Sequence, residues 1–200
     1  MAMQKTAPFL PYQIYENLFE FLSFRKLTTN HKKLKKDIFI NNINHYDYIE
    51  IPTEQNITII LIKENSDYAN KSAAFNKLVL RAMNKTSISE LILIANEDVN
   101  SYIATQIKQH AISNKKISMY HYDRFKIVIP NSDMVPTHEI LNPTEVCDIF
   151  DYFRCKKNNF PKIKITDPMI IWLGANHGDI IKITRTSVST GENISYRVVI

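Results

Sequence analysis

Glycine is nearly missing from this chain of 200 residues, and all three glycines lie after residue 173. A glycine-rich phosphate loop of the GxxxxGK type and a GxSxG nucleophile elbow are therefore both absent. Because glycine tolerates a positive φ angle, we expect Gly174, Gly178 and Gly191 to occupy turns.

Cysteine is also scarce, with Cys147 and Cys155 eight residues apart in one predicted helix. Two turns of helix separate them, which is too far for a disulfide. The six histidines show no paired metal spacing, and neither HExxH nor CxxC occurs. No apolar run approaches the ~20 residues that span a bilayer, and no signal-peptide pattern opens the chain. We expect a reduced, intracellular protein without metal or cofactor.

Charge is distributed unevenly between the two parts of the chain. Residues 1–130 hold 17 Lys/Arg against 12 Asp/Glu, whereas residues 131–200 hold eight of each. The excess of five positive charges therefore belongs to the first part. Ile, Asn and Lys together make up 68 residues, a bias that is typical of an AT-rich genome, such as that of a parasite or a large DNA virus.

The last forty residues contain the strongest local signals. Asp167-Pro168 predicts a helix start, and Gly174 predicts its end. A strand over 180–185, a loop over 186–193 and a final strand over 194–200 follow. Upstream, Asn142-Pro143 predicts a helix to about residue 156.

The first part alternates strands and helices, which is typical of an α/β domain with a partly parallel, mixed sheet and flanking helices. The predicted elements are helices over 8–26, 31–36, 66–83 and 99–112, and strands over 46–51, 57–63, 91–95, 117–122 and 125–129. A boundary is predicted at 130–133, which gives an α/β domain over 1–130 and a small α+β module over 131–200.

The C-terminal residues carry a family resemblance. The stretches Pro136-Thr137-His138, Asp167-Pro168, Gly178-Asp179, Arg185-Thr186-Ser187 and Tyr196-Arg197 follow a family pattern in order and spacing. They resemble the fifth subunit shared by eukaryotic nuclear RNA polymerases and its shorter archaeal counterpart. Thr137 departs from that pattern, where the family usually has Lys.

The resemblance implies a non-catalytic subunit of a DNA-dependent RNA polymerase, in a nuclear or a viral version. Residues 131–200 would dock on the largest subunit, and residues 1–130, the jaw, would lie beside downstream duplex DNA. The implied interface residues are Pro136, His138, Pro161, Asp167, Pro168, Lys182, Arg185, Tyr196 and Arg197. Location would be the nucleus for a cellular version, and the host cytoplasm or virion for a viral one.

Within the jaw, clustered cations are candidates for phosphate contact without base specificity. The candidate DNA-proximal residues are Arg81, Lys85, Ser101, Lys115 and Lys116. We define the basic run as Lys32, Lys33, Lys35 and Lys36, and interpret it as a solvated face. The family's Thr-Pro-Ser-Ala segment is here Val99–Tyr102, where only Ser101 matches.

Two alternatives remain open at the level of sequence. A free-standing transcription regulator or DNA-binding protein could carry the same module. A nuclease-like enzyme would need an acid two residues before a lysine to hold a metal, and none of the 19 lysines has one.

Overall fold

The computed structural model describes residues 10–84, 88–97, 103–105, 107–108, 116–187 and 191–200. The chain divides into two compact units, residues 1–127 and residues 128–200. No helix among the described residues is long and apolar enough to cross a membrane.

The first unit is an α/β fold. Its helices and strands are α1 (Leu10–Phe24), α2 (Lys36–Tyr46), β1 (Tyr48–Pro52), β2 (Ile57–Ile62), α3 (Asp67–Asn70), α4 (Ser72–Met83), β3 (Glu90–Ala95) and β4 (Lys116–His121). The sheet order is β1-β2-β3-β4, with β1 antiparallel to β2 and the other pairs parallel. This arrangement confirms the expected mixed sheet.

Both faces of this sheet are covered, which explains why β2 and β3 are almost continuously apolar. One face packs on α4, through a core that includes Ile60, Leu93, Phe75 and Val79. The alternate residues of β2 and β3 are equally buried. So is one apolar side of each of the two first helices, which includes Ile14, Leu18 and Phe21 of α1 and Phe39 and Ile43 of α2.

The predicted helix over 31–36 is wrong, because these residues are bonded to α1 in a non-helical conformation. The backbone N–H of Leu34 donates to the Tyr15 hydroxyl at 3.0 Å, and the Tyr12 hydroxyl contacts the Leu34 carbonyl oxygen at 3.5 Å. The helix therefore begins only at Lys36.

The predicted strand over 125–129 is also wrong. 3₁₀ turns cover Tyr122–Arg124 and Ile129–Asn131. The side-chain amide of Asn17 donates to the carbonyl oxygens of Phe125 and Lys126 at 2.8 and 3.0 Å, so these acceptors bond to α1 rather than to a neighbouring strand.

The predicted helix over 66–83 is divided into α3 and α4 at Lys71, whose backbone is extended. Most of the helix predicted over 99–112 lies outside the described residues.

The second unit is α+β, as predicted. Its elements are β5 (Thr137–Ile140), α5 (Pro143–Phe153), β6 (Lys162–Ile163), α6 (Pro168–Leu173), β7 (Ile180–Ser187) and β8 (Gly191–Val199). The sheet order is β5-β7-β8-β6. β7 is antiparallel to both β5 and β8, and β6 is parallel to β8.

One helix packs on each face of this second sheet. On the α6 face, Ile170 packs with Ile181, Ile183 and Val199. The core of the α5 face consists of Ile149, Phe160, Ile180 and Val198. Successive residues of β7 thus alternate between the two helices, as the pleat of a strand requires.

Helix termini in this unit follow their sequence signals. Asn142 and Glu145 form a reciprocal capping box at 2.9 and 2.8 Å, and Asp167 caps α6 by accepting from the Met169 N–H at 2.9 Å. Gly174 ends α6 with φ 71°.

The predicted loop over 186–193 is too long. β7 continues to Ser187 and β8 starts at Gly191, so a hairpin with eight paired positions replaces it. Gly178 has φ 93° in the turn before β7, as expected. Gly191 has the expected positive φ, 72°, but it is the first residue of β8 and pairs with Ser187.

Candidate subunit interface

A cleft of about 750 Å³ opens on the α6 face of the second sheet. Its wall and floor come from β5, β6, β7 and β8, from the N-terminal end of α6 and from the segment before β5. The lining residues are Ile129, Val135, Pro136, His138, Ile163, Asp167, Pro168, Met169, Ile183, Arg185, Asn193, Ser195 and Arg197. We call this surface the α6-side cleft.

The cleft exists because α6 is only six residues long. At about 1.5 Å per residue it spans roughly 9 Å, whereas β7 has eight residues and is about 27 Å long. The helix therefore covers the Ile181 end of β7 and leaves the Arg185 end open. Ile183 lies between these two regions and is 8% exposed.

The floor of the α6-side cleft is apolar. Ile163, Ile183 and Met169 contribute aliphatic surface, and Pro136 and Pro168 add two rigid rings. Burying apolar surface stabilises association by roughly 25 cal/mol per Å². The floor therefore favours an apolar side chain of a binding partner.

Two titratable groups of the cleft already have structural bonds. Asp167 caps α6. The Nδ1 of His138 lies 2.7 Å from the carbonyl oxygen of Pro136, which can only accept, so Nδ1 carries the proton. These bonds orient both side chains and fix the local backbone, and they do not join the two groups into an acid–base pair.

The rim of the cleft carries positive charge. Arg185 on β7 and Arg197 on β8 are both exposed. The guanidinium of Arg197 donates to the carbonyl oxygen of Lys162 at 3.3 Å, which ties it to β6. Guanidinium groups bind carboxylates through paired hydrogen bonds, so this rim suits an acidic partner.

Six of the nine interface residues predicted from the resemblance line this one cleft: Pro136, His138, Asp167, Pro168, Arg185 and Arg197. Lys182 and Tyr196 lie on the opposite, α5 face, since they pair in register and alternate with Ile183 and Arg197. Lys182 forms an ion pair with Glu139 at 3.5 Å, and Tyr196 contacts Phe153. Pro161 is exposed outside the cleft.

Several residues of the cleft are not among those that the sequence predicts. Asn193 falls in the predicted loop, Ser195 in the final strand without an assigned role, and Val135 and Ile129 precede the first matched strand. A signal is present for two of them: in an antiparallel hairpin Ser195 is opposite Ile183 and Asn193 is opposite Arg185, on the face of the matched arginine.

In the first unit, the structure describes two of the predicted DNA-proximal residues. Arg81 is exposed at the end of α4. Lys116 forms an ion pair with the buried Glu90 at 3.5 Å, and Arg25 contacts the other oxygen of the same carboxylate at 3.2 Å. A lysine that neutralises a buried carboxylate is less available to a phosphate. Lys85, Ser101 and Lys115, like the Val99–Tyr102 segment, lie outside the described residues.

All four lysines of the basic run are exposed. Lys33 forms an ion pair with Glu16 at 3.3 Å, and its ammonium lies 5.7 Å from the Phe19 ring centre. The side chain of His31, just before the run, contacts α1, since the Tyr15 hydroxyl lies 2.9 Å from its Nε2. Burial lowers the pKa of His31.

Within the described ranges, no three His, Cys, Asp or Glu side chains gather in a group that could hold a metal ion. Cys147 and Cys155 are both free thiols.

Comparison with known proteins identifies relatives of both parts of the chain. The family described as RNA polymerase Rpb5, C-terminal domain, matches residues 127–199. The DNA-directed RNA polymerase RPB5 homolog of African swine fever virus (isolate Pig/Kenya/KEN-50/1950) is 25% identical over 196 residues, covering 94% of this chain and 92% of the relative.

Archaeal relatives match the second unit at higher identity. DNA-directed RNA polymerase subunit Rpo5 of Nitrosopumilus maritimus is 41% identical over 75 residues, covering 38% of this chain and 90% of the relative. The Rpo5 subunit of Sulfolobus acidocaldarius is 45% identical over 75 residues, covering 38% and 89%.

Proposed function

The chain belongs to the Rpb5 family of RNA polymerase subunits, and from that premise we propose that it is a non-catalytic subunit of a multisubunit DNA-dependent RNA polymerase. The archaeal relative is named as a DNA-directed RNA polymerase subunit and the viral relative as a DNA-directed RNA polymerase RPB5 homolog, which supports the assignment for the whole chain. The viral relative matches 94% of the chain and so supports a viral polymerase, with a location in host cytoplasm or virion.

The α6-side cleft is the docking surface of the second unit in this proposal. The observation that carries it is that six of the nine residues chosen by family resemblance alone lie on one concave surface. An apolar floor and an arginine rim are the features of a protein interface, in which aromatic residues and Arg are enriched. The partner is the largest polymerase subunit, through a segment that presents an apolar side chain flanked by carboxylates.

The first unit, the jaw, lies near downstream duplex DNA in the same proposal. Residues 1–130 carry the whole excess of five positive charges. Phosphate contacts of this kind position a protein without reading the sequence. Of the predicted contacts that the structure describes, Arg81 is the exposed one, whereas Lys116 is paired with Glu90.

Two cations on β7 provide a matched test of the docking surface. Arg185 lies on the cleft face, and Lys182, three residues earlier, lies on the α5 face. In cells, tagged full-length Arg185→Gln should recover less of the largest subunit than wild type, because the variant loses the paired hydrogen bonds that a guanidinium donates to a carboxylate. Lys182→Gln removes the same charge and should recover a normal amount.

Equal losses with both variants would place the interface on both faces of the hairpin. Normal recovery with Arg185→Gln would exclude the cleft rim from docking. If wild type itself recovers no large subunit, the chain acts outside the polymerase as a free-standing regulator.

A further inference from the structure

The second unit is neutral in sum, but its charges are segregated along the chain. Between residues 152 and 166 there are five cations and no Asp or Glu. These cations are all exposed, and they are Arg154, Lys156, Lys157, Lys162 and Lys164. We call this segment the basic strip. It begins directly after the acids of α5, the last of which is Asp151.

Exposed aromatic rings stand at the start of the basic strip. Tyr152 is 82% exposed and Phe153 is 49% exposed, at the C-terminal end of α5. The two rings are 5.0 Å apart in an edge-to-face pair. The ring centre of Phe153 lies 6.0 Å from that of Phe160 and 5.9 Å from that of Tyr196, and these contacts hold the Phe153 ring in place. Tyr152 therefore exposes its ring to solvent, next to the packed ring of Phe153.

A second cavity continues the surface beyond Phe160. It has a volume of about 360 Å³ and is lined by Lys157, Asn158, Phe160, Lys162, His177, Gly178, Val198, Val199 and Ile200. A Cβ atom at Gly178 would lie 3.0 Å from the Lys157 ammonium, so the absence of a side chain there leaves room for that ammonium. The surface thus extends from the exposed ring of Tyr152 to a cavity that is lined by Lys157 and Lys162.

Exposed aromatic rings beside a row of cations form the arrangement that binds single-stranded nucleic acid. Bases stack on the rings, while the cations follow the phosphates. A duplex keeps its bases stacked internally and cannot use the rings. An acidic peptide could use the cations but has no planar base to stack on Tyr152. The combination therefore favours a single strand over both.

We propose that Tyr152, Phe153 and the basic strip form a binding surface for single-stranded nucleic acid. This surface is separate from the α6-side cleft, since Tyr196 and Phe153 lie on the α5 face of the sheet.

The test is fluorescence anisotropy of the purified full-length chain with labelled oligo(U) of about 15 nucleotides. Tyr152→Ala should weaken binding by at least about fivefold, because stacking contributes about 1–3 kcal/mol per base. Tyr152→Phe keeps the ring and should stay within about twofold of wild type. Unchanged affinity of Tyr152→Ala would overturn the proposal.

Charge contacts are tested by salt dependence. Each phosphate contact on a single strand contributes about −0.7 to the slope of log K against log salt. The double variant Lys157→Gln/Lys162→Gln should therefore lower the magnitude of the slope by about 1.4. The control Lys35→Gln/Lys36→Gln removes the same charge from the first unit and should leave the slope unchanged. Equal effects of the two double variants would show non-specific attraction and overturn the proposal.

Two control ligands test whether the surface prefers a single strand to a duplex or to an acidic peptide. Duplex DNA of the same length, or a peptide of alternating Glu and Leu, should lose no affinity on Tyr152→Ala. If either ligand binds more tightly than oligo(U), and its affinity falls in the Lys157→Gln/Lys162→Gln variant, the basic strip is not a single-strand site. The assay contains no other polymerase subunit, so its result is independent of whether the chain co-purifies with a polymerase.

Discussion

Replacing Ile181 by alanine should destabilise the second unit strongly. Ile181 lies on β7 beneath α6, is 0% exposed and packs with Ile170 and Val199. Removing three carbon atoms loses about 2.4 kcal/mol of transfer free energy at about 0.8 kcal/mol per group. The remaining cavity adds to this, and buried Ile→Ala changes cost about 2–5 kcal/mol. We expect a loss of about 3–4 kcal/mol for Ile181→Ala.

Ile194 supplies a control with the same residue type in the same hairpin. It lies on β8 and is 47% exposed. Ile194→Ala removes the same atoms, but about half of their surface already contacts water and no closed cavity results. The expected loss is about 1 kcal/mol.

Trp172 makes the measurement specific to this unit. It is the only tryptophan and is 0% exposed, so its emission should shift to longer wavelength when the unit unfolds. With a urea m value of about 1.5 kcal/mol/M, Ile181→Ala should lower the midpoint by about 2 M and Ile194→Ala by about 0.7 M. Equal shifts, or a shift under about 0.5 M for Ile181→Ala, would refute the packing of α6 on β7.

Three further predictions concern a cap, a titration and DNA. Asn142→Ala removes one half of a capping box and should cost about 1 kcal/mol, measured by the same fluorescence assay; Asn142→Asp should cost less. Burial lowers the folded-state pKa of His31 below its unfolded value near 6.5, so stability is present above pH ~6.5 and is lost as pH falls through the folded pKa. Circular dichroism melts should show this loss of stability at low pH, and His31→Gln should make the stability depend less on pH. Neutralising the whole basic run should change duplex DNA affinity less than tenfold by anisotropy, with each phosphate contact worth about 0.9 in salt slope; a larger loss would make the run a DNA contact.

Residues that cap or end helices explain why the elements of the second unit are predictable from its sequence. Asn142, Asp167 and Gly174 each act on a backbone group within three or four residues, so their effects can be seen in a short window of sequence. The predicted hairpin is too short because polar residues near its tip resemble a loop. Cross-strand pairing, which extends β7 to Ser187, is not visible in such a window.

Long-range bonds explain the two wrong elements of the first unit. The Leu34 N–H and the Phe125 carbonyl oxygen both bond to side chains of α1, namely Tyr15 and Asn17. These partners are 19 and 108 residues away in sequence, so neither local propensity nor periodicity could identify them.

Family resemblance names the candidate interface residues one by one but does not indicate which of them share a surface. Family resemblance places Lys182 and Arg185 in one set, yet three residues along a strand put them on opposite faces. The alternation follows from the sequence once β7 is recognised as a strand. The open cleft does not, since it results from the packing of a six-residue helix on a longer sheet.

The most direct test of polymerase membership is co-purification of the tagged full-length chain in about 1 M salt, where the Debye length is about 3 Å and surface electrostatic contacts are screened. We predict that the chain remains stoichiometric with the two largest polymerase subunits, because the proposed docking in the α6-side cleft would bury apolar surface as well as charge. Elution of the chain alone at this salt concentration, or with DNA or a transcription factor but without the large subunits, would contradict the account.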